Sequence, residues 1–528
     1  APAPVRPSAA RFPLRHYLPV TLLVFFALGS TGKNQLAMGW LVLASLFFYG
    51  WWNPAYVSLI VLSLFVNFAF GRLLIRDDLK PSLRKGIVTL GVGLNLALLA
   101  YYKYANFFVD NLNSLAGTSF HLDRIVLPLA ISFFTFQQVA FVVDAYQGKA
   151  QEPRFLPYCL FVTFFPQLIA GPIVHHGEMM PQFLQRDRFR FHASDFAIGL
   201  SIFLMGLFKK VIIADEVAIY SSAVFNGADQ GLTLTFFESW VGSISYTMQL
   251  YFDFSGYSDM AIGLGRMFGI KLPMNFNSPY KATNIIDFWR RWHMTLSRFL
   301  RDYLYIPLGG NRKGPTRRQI NLILTMLLGG LWHGAGWTFI VWGGLHGLYL
   351  TINHFWRTWR QPKREQKPPG WITHTAYWAI TFFAVMVSWI FFRATSFDSA
   401  IAILKGMCGM NGISLPEALA GPLQSFGSTT QGWIYFEGIQ VNESFPVGIT
   451  AAIWALGATI IALAAPNVCQ IMHRHEPAFE TYPCELKKLN TSWLTWQPNR
   501  AWAIAFALAG FWTLGNLTRI SEFLYFQF

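Results

Sequence analysis

Charge is what this sequence has least of. Only 13% of its 528 residues are Asp, Glu, Lys or Arg, about half the share found in soluble globular domains, while 53% are hydrophobic and 17% aromatic. That balance excludes an ordinary water-soluble fold. Cysteine is also sparse: Cys159, Cys408, Cys469 and Cys484 form no C-x-x-C pair and no metal-ligand spacing, so neither a disulfide framework nor a metal site is expected. Cys469 and Cys484 could pair if their loop faced an oxidising compartment; two separate thiols are the simpler expectation. There is no P-loop, dinucleotide fingerprint or H-E-x-x-H, which removes ATPases, dehydrogenases and zincins. No internal repeat is visible, which weighs against an inverted-repeat transporter.

Acidic residues are fewer than basic ones, 26 against 41, leaving a formal charge of +15. The basic residues cluster between apolar runs, where the positive-inside rule accounts for them, so nucleic acid is not an expected partner. The apolar runs lie near Tyr17 to Leu28, Leu36 to Trp52, Tyr56 to Ile75, Gly86 to Tyr102, Ile125 to Val143, Phe155 to Val174, Phe196 to Ala214, Phe236 to Tyr251 and Met260 to Ile270. A charge-free stretch from Gln319 to Trp356 follows, then Trp371 to Phe392, Val447 to Ala465 and Ala501 to Leu517. They are continuous instead of alternating, which excludes a β-barrel. The expected fold is an all-α polytopic membrane protein with roughly 11 to 13 transmembrane or re-entrant helices around a central funnel. Residues 1–15 read as a disordered leader and not a signal peptide, and 16–528 as a single domain with its core at about 236–356 and extramembrane loops at about 393–445 and 473–500.

Within the charge-free stretch sits His333, framed by Gly329, Gly330, Trp332, Gly334 and Gly336. A helix entering at Gln319 carries this imidazole roughly 20 Å deep at 1.5 Å per residue. An ionisable ring at that depth reads as functional by default, and flanking glycines allow close approach of backbone or ligand. The alternative is a packing histidine hydrogen-bonded to a neighbouring helix. His346 carries the same ambiguity with less weight, and His354 lies near the charged exit at Arg357.

Lys281 to Arg318 is strongly basic, which places this face on the cytoplasmic side together with the loops Arg72 to Lys85 and Arg357 to Lys367. Inside it, IIDFWRRWHMTLSRFLRDYLYIPL sets Phe288, Trp292, Leu296, Phe299 and Leu300 at helical spacing, the pattern of an amphipathic or partly inserted helix. His293 in that segment could share acid–base work with a second imidazole or be an interfacial histidine beside arginines. Upstream, Asp253 and Asp259 stand among Ser255, Tyr257 and Ser258 in an apolar region. Buried carboxylates need partners, so a salt bridge with nearby arginines is expected ahead of a catalytic pair. His473 and His475 form an H-x-H without further ligands at metal spacing, the mark of a solvated loop.

The stretches QLYFDFSGYSDMAIGLG, NFNSPYKATNIIDFWRRWHMTLSRFLRDYLYIPLGGNR and NLILTMLLGGLWHGAGWTFIVWGGLHG resemble the core of the bacterial membrane-bound O-acyltransferases, in particular the alginate O-acetylation branch. The resemblance extends from LASLFFYGWWNPAY through YYKYANFF, LPLAISFFTFQQ and FPQLIAGPI to FLYFQF. It implies an inner-membrane, multi-pass enzyme that passes an acetyl group across the membrane toward a polysaccharide hydroxyl. The intramembrane histidine of W-H-G, here His333, would be catalytic and His293 its second polar residue. Acetyl-CoA from the cytoplasm would be the donor, with no permanently bound cofactor. Arg290, Arg291, Arg298 and Trp332 would bind it, and Asp253, Tyr257, Asp259 and Asn321 would support substrate or structure. A periplasmic or membrane-anchored acetyltransferase partner would complete transfer. The acceptor would be an exopolysaccharide of alginate or cellulose type, with peptidoglycan the alternative; a covalent acetyl-histidine remains an alternative route. A non-enzymatic transporter or scaffold of a polysaccharide-secretion complex is the rival class.

Overall fold

In the computed structural model the described residues are 14–150, 154–360, 370–415, 434–435, 440–442, 445–446, 449–479 and 494–517. The leader up to residue 13, Cys484 and much of the two expected loops lie outside them. The described residues are mostly helical, and the chain contacts divide the chain into two compact units. One unit comprises 1–203, 258–274 and 472–486; the other comprises 204–257, 275–471 and 487–528.

In the first unit, helices Leu14–Ser30 and Asn34–Trp52 pack as a hairpin, and Ala55–Ile75 and Pro81–Leu99 both lie against Ile131–Tyr146. That last helix is buried along nearly all of its length. It starts later than the apolar run at Ile125, because Pro128 and a left-handed Ala130 precede it. Buried amides tie these helices together: Asn67 to Asn95 at 3.3 Å, and Gln138 both donating to Ser63 Oγ and accepting from the Tyr158 hydroxyl. In hydrocarbon such side-chain contacts replace the hydrophobic effect as the glue between helices. The run Phe155 to Val174 breaks after Thr163, where Phe164 leaves helical geometry ahead of Pro166.

The runs Phe236 to Tyr251 and Met260 to Ile270 are one 32-residue helix, Phe236–Met267; its polar middle does not interrupt it. In the second unit, helices Asp215–Asp229, Phe397–Met407 and Ile449–Ala464 gather around one core. Phe397–Met407 is a helix within the stretch expected as a loop at about 393–445, and its inner face is buried against Asp215–Asp229.

Among the described residues four helices are long and apolar enough to cross a membrane: Ala55–Ile75, Pro81–Ala116, Ala193–Asp229 and Trp371–Arg393. Large apolar side chains point outward from them and from the shorter helices, including Leu62, Phe65, Ile380, Ile453, Leu508 and Phe511. Such surfaces are tolerable when the solvent is lipid. The chain is a multi-pass membrane protein.

Candidate active site

The charge-free stretch folds as two helices, Gly314–His333 and Trp337–Trp359, joined by Gly334, Ala335 and Gly336. Among the described residues they form the most extensive helix pair. Two glycines permit their approach. A Cβ on Gly330 would lie 2.2 Å from the Phe339 carbonyl oxygen, and one on Gly343 would lie 2.3 Å from that of Met326. His333 is therefore the last residue of a helix that ends inside a hairpin, not a point midway along one span. His333 is half-buried. The rings of Trp332, Trp342 and Phe392 surround it at centroid distances of 4.8, 5.0 and 5.2 Å, and His293 stands edge-on at 6.4 Å.

His293 arrives by a turn, not on the amphipathic helix expected from the sequence. Ile285–Trp289 and Met294–Leu300 are separate short helices, and between them His293 has φ 42° and ψ 53°, in the left-handed region. Phe288, Trp292, Leu296, Phe299 and Leu300 are all buried, but the turn at His293 divides them between two short helices. The turn is clamped from one side by residues 275–277: Asn277 N–H donates to Arg291 O and Met294 N–H to Asn275 O, both at 2.9 Å. The Asn275 side chain completes the clamp. Its Oδ1 accepts from the Thr295 N–H at 3.3 Å and the Thr295 hydroxyl at 2.9 Å, and lies 3.2 Å from His293 Nδ1. His293 is 1% exposed.

The remaining expected site residues separate into two groups. Arg290 is exposed and available to a ligand, whereas Arg291 is committed to Asp287 at 2.9 Å and to the Asn277 carbonyl at 3.4 Å. Arg298 is half-buried, Trp332 is buried against His333, and Asn321 is buried and donates to Gly310 O at 3.1 Å, holding the turn before the hairpin. Lys281 turns inward to the Ala465 carbonyl at 2.7 Å; burial, and then the nearby Arg291, hold its ammonium below the usual lysine range. Exposed cations at the mouth of the hairpin are Arg312, Lys313 and Arg317.

Asp253 and Asp259 are both buried and lie on the one helix Phe236–Met267. Asp253 is paired with a lysine and not with the arginines anticipated: the Lys210 ammonium bonds it and reaches Asp215 at 2.7 Å, with the Tyr257 ring 5.5 Å away. Lys210 lies in a π-helical turn, Lys209–Ala214, of the kind often found at functional sites. Removing one member of a buried ionic group leaves the others uncompensated at about 3–5 kcal/mol. Lys210→Met is therefore expected to lower thermal stability in detergent sharply, and Asp253→Asn in that background to restore part of it. A Lys210→Met protein that melts like the parent would remove the electrostatic account.

His346 is a packing histidine. The Trp289 indole donates to its Nδ1 at 3.2 Å, so Nε2 carries the proton and meets Ser388 Oγ at 2.9 Å. Sequence reasoning missed Asn275, Trp342 and Phe392, whose roles depend on contacts between distant segments. It also missed Asp144, His175 and His176 in the first unit, a set with metal-ligand chemistry whose carboxylate is distant in sequence from the two adjacent histidines. Asp144 Oδ2 is 2.9 Å from His175 Nε2 and 3.5 Å from His176 Nδ1, with Lys149 Nζ 3.9 Å from Oδ1. The ligand atoms of a tetrahedral zinc site at about 2.1 Å stand roughly 3.4 Å apart. The 2.9 Å contact is shorter than that spacing and has the length of a hydrogen bond, and the Lys149 ammonium faces the carboxylate's other oxygen.

A model of the membrane-bound O-acyltransferase family matches residues 88–396. The chain is 47% identical to a peptidoglycan O-acetyltransferase of Helicobacter pylori over 76% of its length and 79% of that protein's. It is 36% identical to a probable alginate O-acetylase AlgI of Pseudomonas aeruginosa over 97% of its length and 98% of that protein's. A teichoic acid D-alanyltransferase of Bacillus subtilis is 30% identical over 52% of this chain and 70% of its own length.

Proposed function

Because the chain belongs to the membrane-bound O-acyltransferase family, we propose that it is an inner-membrane enzyme that takes acetyl from cytoplasmic acetyl-CoA for O-acetylation of a cell-envelope polysaccharide, with His333 as general base. The observation that carries this reading is the helix break at residues 334–336. His333 ends the Gly314–His333 helix, and Trp337 begins the next one with Gly336 as N-cap and no side-chain cap. A helix C-terminus stabilises a nearby cation and a helix N-terminus a nearby anion. A proton gained by His333 and an oxyanion formed beside the first turn at Trp337 and Thr338 are thus favoured within a few residues of each other. The Gly334 N–H already bonds Gly330 O at 3.3 Å, so the oxyanion donors lie after the break.

In the proposed step the acceptor hydroxyl loses its proton to His333 and its oxygen attacks the thioester carbon. The C–S bond then breaks, and the proton passes to the departing thiolate. Exposed Arg290, Arg312, Lys313 and Arg317 offer charge-assisted contacts to the nucleotide phosphates. Charge reversal at Arg290 or Arg312 is expected to raise KM for acetyl-CoA about three- to tenfold with kcat little changed. A kcat effect without a KM effect would reassign these residues.

Of the acceptors, the glycan of peptidoglycan is favoured over alginate by the higher identity to the Helicobacter pylori protein, although the alginate relative matches more of the chain. A periplasmic or membrane-anchored acetyltransferase is the expected partner for the final transfer. The test is purified protein with labelled acetyl-CoA and each polymer in turn. Stoichiometric CoA release with label on one polymer, or on the partner, supports the reading. Neither CoA release nor label would overturn it.

A further inference from the structure

We propose that Asn275 is a positioning residue that fixes His293 as its Nδ1–H tautomer, leaving the buried Nε2 lone pair as the site's second proton acceptor and excluding neutral His293 as an oxyanion donor. The assignment follows from one atom. The Thr295 backbone N–H can only donate, so the Asn275 side-chain atom it meets is the carbonyl oxygen and not the amide nitrogen. That oxygen has no hydrogen to give, so the imidazole nitrogen 3.2 Å from it must carry the proton. The Thr295 hydroxyl donates to the same oxygen at 2.9 Å, which further specifies an acceptor there. Backbone contacts prevent escape from this arrangement: Asn275 O holds Met294 N–H, and Asn277 N–H holds Arg291 O, on the two sides of the turn.

The other nitrogen, Nε2, is buried and has no hydrogen-bond partner among the described residues. A buried acceptor left open is costly unless something arrives to use it. The rings around His293 are Phe254, Phe276, Trp332 and His333, at 4.7, 6.4, 6.4 and 6.4 Å, so His333 is the titratable group facing it. Nε2 is therefore the atom that accepts a hydrogen bond or proton from what enters beside His333. When it takes a proton, the Nδ1–H bond to Asn275 becomes charge-assisted and strengthens.

The catalytic part of this inference rests on the acetyl-transfer reading; the tautomer does not. The first test is therefore ¹⁵N NMR of histidine-labelled protein in detergent, with His293 assigned by difference from His293→Gln. An Nδ1-protonated, Nε2-unprotonated neutral ring is expected; an Nε2–H ring overturns the proposal whatever the activity. Asn275→Asp keeps the acceptor and adds a negative charge beside Nδ1. It is expected to retain the tautomer and move the acid limb of the pH–rate profile upward. Asn275→Leu removes the acceptor and is expected to mix the tautomers and lower kcat about 10²- to 10⁴-fold, the range for a misoriented catalytic imidazole. Thr295→Val, which removes one of three donors, should keep both tautomer and pH profile. If Asn275→Asp and Asn275→Leu lose activity equally with an unchanged His293 tautomer, Asn275 is only a packing residue. Normal NMR in a protein inactive on every acceptor would leave the tautomer standing and overturn the acetyl-transfer reading instead.

Discussion

Acetyl transfer by His333→Gln is expected to fall about 10²- to 10⁴-fold, the contribution of a positioned general base. Glutamine can keep a polar contact within the ring of Trp332, Trp342 and Phe392 but cannot take up a proton. Loss of proton transfer is thereby separated from loss of packing. Because His333 is half-buried at the end of a helix, the substitution opens no large internal cavity, and the melting temperature in detergent should stay close to the parent's. The assay is initial rate of CoA release at saturating acetyl-CoA, with elution volume as the folding control. A His333→Gln protein at parental rates would eliminate the role assigned to this ring. A protein that also fails to fold would be replaced by His333→Asn, whose smaller side chain imposes less on the aromatic box.

The second large effect concerns backbone spacing. In Gly343→Ala the added methyl would sit 2.3 Å from the Met326 carbonyl oxygen and 3.0 Å from its carbon. Backbone atoms cannot rotate away, so the two helices must separate. Forced insertion into a packed contact costs about 1–3 kcal/mol and sometimes more, and here the displaced element carries His333. Gly343→Ala and Gly330→Ala are expected to lower both thermal stability and acetyl transfer. Gly344→Ala is the control: its Cβ would meet only Leu327 Cδ2, at 3.5 Å, an ordinary contact, and alanine favours helix over glycine by about 1 kcal/mol. If Gly343→Ala and Gly344→Ala melt alike, close packing does not hold the hairpin.

Much of this was legible in the sequence. Helical membrane class and the position of most helices followed from apolar continuity. The Phe236–Met267 helix was not seen as one, because Asp253, Ser255, Gly256 and Ser258 look like an interruption when their buried partner, Lys210, is invisible. The segment around His293 was misread for the converse reason: helical spacing of large apolar residues persisted across a turn whose cause, the clamp by residues 275–277, is distant in sequence. The basic segment was legible as a whole, but not which of its cations are open to solvent. Arg290 is open to solvent while Arg291 and Lys281 are bound to neighbours, a distinction composition cannot make.

The left-handed turn at His293 costs a residue with a Cβ about 1–3 kcal/mol that glycine avoids. Glycine there would gain that and lose the packing and hydrogen bond of a ring that is 1% exposed, a loss of about 2–5 kcal/mol for emptying a buried site of comparable size. An awkward backbone conformation is thus held in place by the very side chain it burdens.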